Sequence, residues 1–178
     1  SWLGEPWEER VRKDATFERE GKEGTHERGV VPKDAYFLTA AVDVQKDHFW
    51  WEIKAWGMGL TSWTVDYGVL DTWDEVENVI INGAWHREHD HQEMIVRLAG
   101  IDTGFRTEEV YEFCARHADV CVPTKGSSRA LKAPYTRTTI EADTTRTKFK
   151  GTLAVYILDT AYYKDFLFAR LYKDPTEP

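Results

Sequence analysis

The sequence predicts an α/β domain, a mixed β-sheet with helices packed on it. Three observations point there. The apolar run Phe37-Leu38-Thr39-Ala40-Ala41-Val42-Asp43-Val44-Gln45 reads as a strand, and two aromatic-rich strand segments follow it at turn spacing. Beyond them, stretches of helical periodicity alternate with short apolar strands. The length fits, since 178 residues suit one domain with a real core. The 8 Trp, 8 Tyr and 8 Phe exclude a disordered, collagen-like or low-complexity chain.

Residues 1–34 are rich in charge, with Gly21, Gly24 and Gly29 near their end and few apolar anchors beyond Trp2, Leu3, Trp7, Val11 and Phe17. They read as an arm or linker ahead of a domain spanning 35–178, with a short charged helix over 11–20. The first strand, 37–45, is apolar enough to be covered on both faces. The second, 48–56, places Phe49, Trp51 and Ile53 on one side and Trp50, Glu52, Lys54 and Trp56 on the other. Gly57-Met58-Gly59 ends it, and a third strand runs over 60–70, so the three form an antiparallel meander.

Asp71 or Thr72 can cap a helix carrying Trp73, Val76, Val79 and Ile80 on one face. A fourth strand, 94–101, ends at Asp102. A helix opens at Thr107-Glu108-Glu109 and places Val110, Phe113, Cys114 and His117 together. Short strands are expected over 120–123 and 153–158, with a closing helix over 161–172 capped by Asp159 or Thr160.

The longest apolar run is six residues, Leu153 to Leu158, so no membrane partner is expected, and the first residues contain no leader-like apolar stretch. Two cysteines cannot make a disulfide framework, which reads as a reduced, cytosolic chain. The net charge of −8 argues against a generic nucleic-acid binder. The distribution is uneven, however. Residues 124–150 hold seven basic and two acidic residues, a net of +5, which leaves −13 for the rest. That segment reads either as a phosphate-following element or as a solvated charged loop.

Two aspartates are the sharpest chemical feature. Asp43 stands inside the first apolar strand, where a carboxylate is costly unless paired or bound to a cation. Asp102 stands at the junction of strand and loop in Gly100-Ile101-Asp102-Thr103-Gly104, where open α/β sheets place ligands. If the first and fourth strands are parallel neighbours, the two carboxylates meet. Two hard oxygen ligands then suit Mg²⁺ or Mn²⁺ and in-line phosphoryl displacement. A strand-end cap for Asp102 and a buried, hydrogen-bonded Asp43 are the plain alternatives. Lys125, Ser127, Arg129 and Lys132, around a turn at Gly126, are the best candidates for contact with a DNA backbone.

Trp2-Leu3-Gly4-Glu5-Pro6-Trp7-Glu8 and Leu38-Thr39-Ala40-Ala41-Val42-Asp43-Val44-Gln45 resemble the lambda-type phage terminase large subunit family at the joint before its nuclease domain. Trp56-Gly57-Met58-Gly59, Ser62-Trp63, Asp66-Tyr67-Gly68, Ile101-Asp102-Thr103-Gly104, Val110-Tyr111-Glu112-Phe113-Cys114, Lys125-Gly126-Ser127-Ser128 and Asp159-Thr160-Ala161 follow in that family's order. The resemblance implies an RNase H-like fold with a five-stranded sheet in the order 3-2-1-4-5. It also implies a DNA endonuclease using two Mg²⁺ or Mn²⁺ ions on concatemeric viral DNA in the host cytoplasm. Double-stranded DNA, the terminase ATPase domain, the small terminase subunit and the portal are the partners it implies.

The family's first acid matches Asp43, and the acid after its fourth strand matches Asp102. Two departures accompany the match. No Gly-x-x-x-x-Gly-Lys-Ser/Thr phosphate loop occurs, so the chain reads as the nuclease part without the motor. The helix that carries the family's third acid lies beyond Asp159-Thr160-Ala161 and has no counterpart before Pro178. Asp159 is a substitute metal ligand or, more simply, a helix N-cap.

The remaining candidates have bland readings. His86, His89 and His91 fit no closed zinc spacing and read as a solvated loop. Cys114 falls on an apolar helix face and reads as core. Trp50, Trp51, Trp56 and Trp63 form either a stacking platform or cross-strand packing. The leading functional expectation is a metal-dependent endonuclease domain. A catalytically incomplete structural or docking module is the alternative, with carbohydrate binding through the tryptophans a third.

Overall fold

The computed structural model describes residues 26–141 and 151–171. Its centre is a seven-stranded mixed sheet. Strands β2 (Phe37–Val44), β3 (Phe49–Trp56) and β4 (Ser62–Leu70) form the antiparallel meander that the sequence predicts. A single 3₁₀ turn, Met58–Leu60, joins the last two. β7 (Val96–Asp102) pairs parallel with β2, and β8 (Cys121–Ser127) pairs parallel with β7. β10 (Thr152–Asp159) then joins β8 in parallel, and β9 (Tyr135–Glu141) pairs antiparallel with β10 at the edge. The order across the sheet is β4-β3-β2-β7-β8-β10-β9. A small second sheet of β1 (Val30–Val31), β5 (Trp85–Arg87) and β6 (Glu93–Met94) lies beside it.

One face of the large sheet is covered. Leu38, Ala40, Val42 and Val44 of β2 alternate into the core with Phe49, Ile53 and Ala55 of β3 and Ala99 and Ile101 of β7. Helix α1 (Trp73–Ile80) lays Val76 and Ile80 on this layer, and α2 (Thr107–Arg116) adds Val110, Phe113 and Cys114. Thr72 is the cap of α1 and closes a capping box with Glu75. Phe49 meets Trp73 edge-on at 4.6 Å and Trp73 stacks on Phe113 at 4.8 Å, while the Arg106 guanidinium lies 4.9 Å from the Phe49 ring.

Three findings depart from the sequence expectations. The first strand is not covered on both faces, because Phe37, Ala41 and Asp43 alternate outward and are exposed. The sheet has seven strands rather than five, extended by β10 and β9. Part of the basic segment is therefore strand and not loop. β9 escapes an apolar-pattern reading because six of its seven residues are exposed and polar or edge-facing, and only Ile140 reaches the core.

The described end of the arm, residues 26–34, is attached to the domain. Val31 is fully buried, the Gly29 N–H donates to the Val65 carbonyl at 2.8 Å, and Arg28 pairs with Asp66 at 2.7 Å. The expected short helix over 11–20 lies outside the described residues.

Against Leu38 and Thr39 of β2, strand β7 inserts one extra residue, Arg97. Helix α3 (Thr160–Leu171) leaves the end of β10 with all its described side chains, through Ala169, exposed. No helix among the described residues is long and apolar enough to cross a membrane.

Candidate active site

The uncovered face of the sheet carries the acids. β2 and β7 are parallel neighbours with Val42 opposite Ile101, both buried. The next register position sets Asp43 beside Asp102 on the opposite, open face, their backbones about 5 Å apart by ordinary strand spacing. The sequence inference required β2 and β7 to be parallel neighbours, and they are. Asp43 is exposed, its Oδ2 accepting from Gln45 Nε2 at 2.9 Å. Burial, the cost invoked for it from sequence, does not apply.

Asp102 is held by its own motif. Ile101 is core, and Thr103 is pinned to the Thr124 carbonyl through both its N–H and its hydroxyl at 2.9 Å. The Gly104 N–H donates to Asp102 Oδ2 at 2.9 Å. A β-carbon on Gly104 would stand 2.7 Å from that oxygen, so only glycine lets the loop close on the carboxylate. On the other side, a β-carbon on Gly100 would press on the Thr124 methyl at 3.3 Å.

Asp159 is not brought to this pair. Strand alternation groups it with Val155 and Ile157, opposite Tyr156, and it is buried. Its Oδ1 accepts from the Tyr162 N–H at 3.0 Å and its Oδ2 from the Leu131 N–H at 2.8 Å. These bonds hold its carboxyl below the usual carboxylate range. The residue caps α3 and anchors a loop, as the simpler sequence reading has it, and it is badly placed as a metal ligand beside Asp43. Among the described residues no group of three His, Cys, Asp or Glu side chains is gathered for a metal ion.

The DNA-contact candidates divide as well. Lys125 and Ser127 are not in a turn but in β8, opposite Ile157 and Asp159 of β10. Alternation sets both with Pro123 and Cys121, on the face away from the acids. The Ser127 hydroxyl is engaged with Arg129, donating to its carbonyl at 2.7 Å. Gly126 serves packing, since a β-carbon there would meet the Thr160 methyl at 2.8 Å. Arg129 and Lys132 are exposed on the loop that follows.

The other candidates take their bland roles. His86 lies in β5 and His89 and His91 beyond it, all exposed. Cys114 is fully buried and its thiol is pushed well up by that burial, which removes it as a nucleophile. Trp56 donates to Thr39 Oγ1 at 2.7 Å, and Trp51 and Trp63 pack against the core. Trp50 alone of the four stands half exposed, opposite Asp43. A pocket lined by Tyr36, Phe37, Arg87, Met94, Ile95 and Arg97 opens at the other end of the β2–β7 pair, away from the acids.

A family model described as "Terminase large subunit gpA, endonuclease domain" matches residues 1–178. The chain belongs to this family. Its relatives include the terminase large subunit of Escherichia phage lambda, 30% identical over 71% of the chain and 21% of the relative. The terminase large subunit of Enterobacteria phage P21 is 28% identical over 98% of the chain and 27% of the relative. The chain thus spans between a fifth and a third of these curated relatives. No solved structure matches it.

Proposed function

We propose that this endonuclease-family domain hydrolyses phosphodiester bonds of concatemeric viral DNA, with Asp43 and Asp102 as its catalytic acids and a divalent cation as cofactor. The observation that carries the reading is the acid pair itself, two carboxylates from parallel neighbouring strands on one open face. The RNase H-like interpretation is supported by the strand sequence β4-β3-β2-β7-β8 within the sheet, which reads 3-2-1-4-5 when these five are numbered in chain order. An open face suits a rigid duplex, which an enclosed pocket does not admit.

The donor chemistry fits Mg²⁺ or Mn²⁺, which take hard oxygen ligands and keep several waters, so two protein carboxylates are a workable minimum. Bound there, one or two ions would neutralise charge developing on the phosphate and lower the pKa of an attacking water. The chain's own residues do the positioning. Gly104 and Gln45 fix the two carboxylates by hydrogen bonds, and Thr103 ties the Asp102 loop to β8. Arg129 and Lys132, exposed on the loop after β8, are the DNA-backbone contacts in this reading. In the cell the partners in this reading are double-stranded DNA, the terminase ATPase domain, the small subunit and the portal, in the host cytoplasm.

One observation favours a second reading. The lack of a third acid among the described residues supports a domain that docks within the packaging motor without cutting on its own. Conversion of supercoiled plasmid to nicked or linear form separates the two. Manganese-dependent cutting that EDTA abolishes and Asp43→Asn lowers roughly 100-fold or more supports the nuclease. Equal cutting by parent and variant would sink it, and no cutting by either favours the docking module.

A further inference from the structure

The register places a row of side chains across the whole sheet at the level of the acids. Val69 faces Trp50, Trp50 faces Asp43, and Asp43 neighbours Asp102. Asp102 faces Thr124, Thr124 faces Tyr156, and Tyr156 faces Arg137 on the outer strand β9. Two independent contacts fix the side of the sheet on which the far end of this row lies. Ile140, of opposite parity to Arg137, packs against the covered core. The Tyr135 ring, of the same parity as Arg137, lies 6.0 Å from the ring of Tyr156.

Arg137 is exposed, and it forms no ion pair with any described residue. A guanidinium that no carboxylate of the described residues engages, with one tyrosine opposite it in register and another two positions along its own strand, is a phosphate-recognising group. Its backbone stands three strand spacings from Asp102, about 14 Å, equal to about four nucleotides of rise along one DNA strand.

We propose that Arg137, with Tyr156 and Tyr135, is a phosphate-positioning subsite that holds the scissile DNA strand a few nucleotides from the acid pair. The inference rests on the nuclease reading, but it concerns a residue that the basic-segment pattern did not single out. It also gives the edge hairpin β9–β10 a role, because that hairpin carries the row beyond β8. The DNA strand runs across the β-strands, over Asp102 and Thr124, to the hairpin.

The test is fluorescence anisotropy of a labelled mixed-sequence duplex with the 178-residue chain in EDTA, titrated at several salt concentrations. Arg137→Gln is expected to weaken binding and to lower the slope of log affinity against log salt by about one. Arg137→Lys is expected to keep the slope. Arg116→Gln, an equal charge change at an exposed position on the covered side, is expected to leave it unchanged. Equal loss in Arg137→Gln and Arg116→Gln would reduce the effect to a general field and overturn the subsite. So would an Arg137→Gln slope equal to the parent's, or a parent chain that does not bind duplex. Plasmid nicking by Arg137→Gln keeps the two readings apart. Metal-dependent cutting with an unchanged KM overturns the subsite and leaves the nuclease standing, whereas a raised KM at unchanged kcat supports both.

Discussion

The two faces of the large sheet are made by alternate residues of the same strands, yet they do opposite work. On the covered face Val42, Phe49, Ile101 and Phe113 are sealed from water, and their value lies in apolar area removed and rings in contact. On the open face Trp50, Asp43, Asp102 and Thr124 occupy the intervening positions and keep contact with solvent. A strand can therefore hold its chemistry rigidly at little energetic cost, because the neighbour on either side of each acid is anchored in the core. The difference teaches that exposure of a residue in this sheet measures function more than weakness of the fold.

The comparison is open to attack at each face in turn. The largest effect is expected at the covered one. Phe113→Ala removes a fully buried ring from the stack with Trp73 and should destabilise by about 3–5 kcal/mol in urea unfolding. Trp50→Ala deletes a larger ring and should cost less than about 1 kcal/mol, because that ring is half exposed. Similar losses for the two would mean that the open face is covered in solution.

Gly104→Ala sharpens the contrast from the other side. The added methyl displaces the end of the Asp102 side chain and not the backbone, so plasmid nicking should fall roughly tenfold to 100-fold while the urea midpoint barely moves. A large stability loss without a rate loss would place the role of Gly104 in the fold.

The smallest effect concerns Asp159, a carboxylate spent on structure. Its folded pKa lies below the ordinary value because the Leu131 and Tyr162 N–H groups hydrogen-bond to its charged form. The stability it contributes is then present above the unfolded pKa near 4 and is lost as the pH falls through the lower, folded value. Helical signal in an acid titration should fade below about pH 4, and Asp159→Asn should flatten that part of the curve. A titration unchanged by Asp159→Asn would remove its charge from the account of α3.

Much of this was legible in the sequence for identifiable reasons. The meander, α1 and α2 announce themselves because Leu38, Ile53, Val76 and Phe113 recur at strand or helix period against one core. The meeting of Asp43 and Asp102 was legible as a conditional that needed only parallel neighbours, which β2 and β7 are. The edge was not. β9 buries almost nothing, so Tyr135-Thr136-Arg137-Thr138-Thr139-Ile140-Glu141 offers β-favouring residues but no apolar alternation. That omission hid Arg137, and it made Lys125-Gly126-Ser127 look like a turn when the three residues have strand partners on β10.

The extra residue in β7 has a consequence for phase. A strand reads out its side chains with period two, so inserting or removing one position exchanges the faces of everything beyond it. Val96 is buried, Arg97 and Leu98 both point outward, and only then does Ala99 return to the core. Were Arg97 paired regularly with Thr39 instead of bulging, continuous pairing from Leu38 would bring Gly100 opposite Val42 and Ile101 opposite Asp43, and Asp102 would come up level with Val44 on the covered side. The arginine acts as a half-period delay. It lets an apolar residue at the start of the strand and a carboxylate at its end each face the side where it belongs.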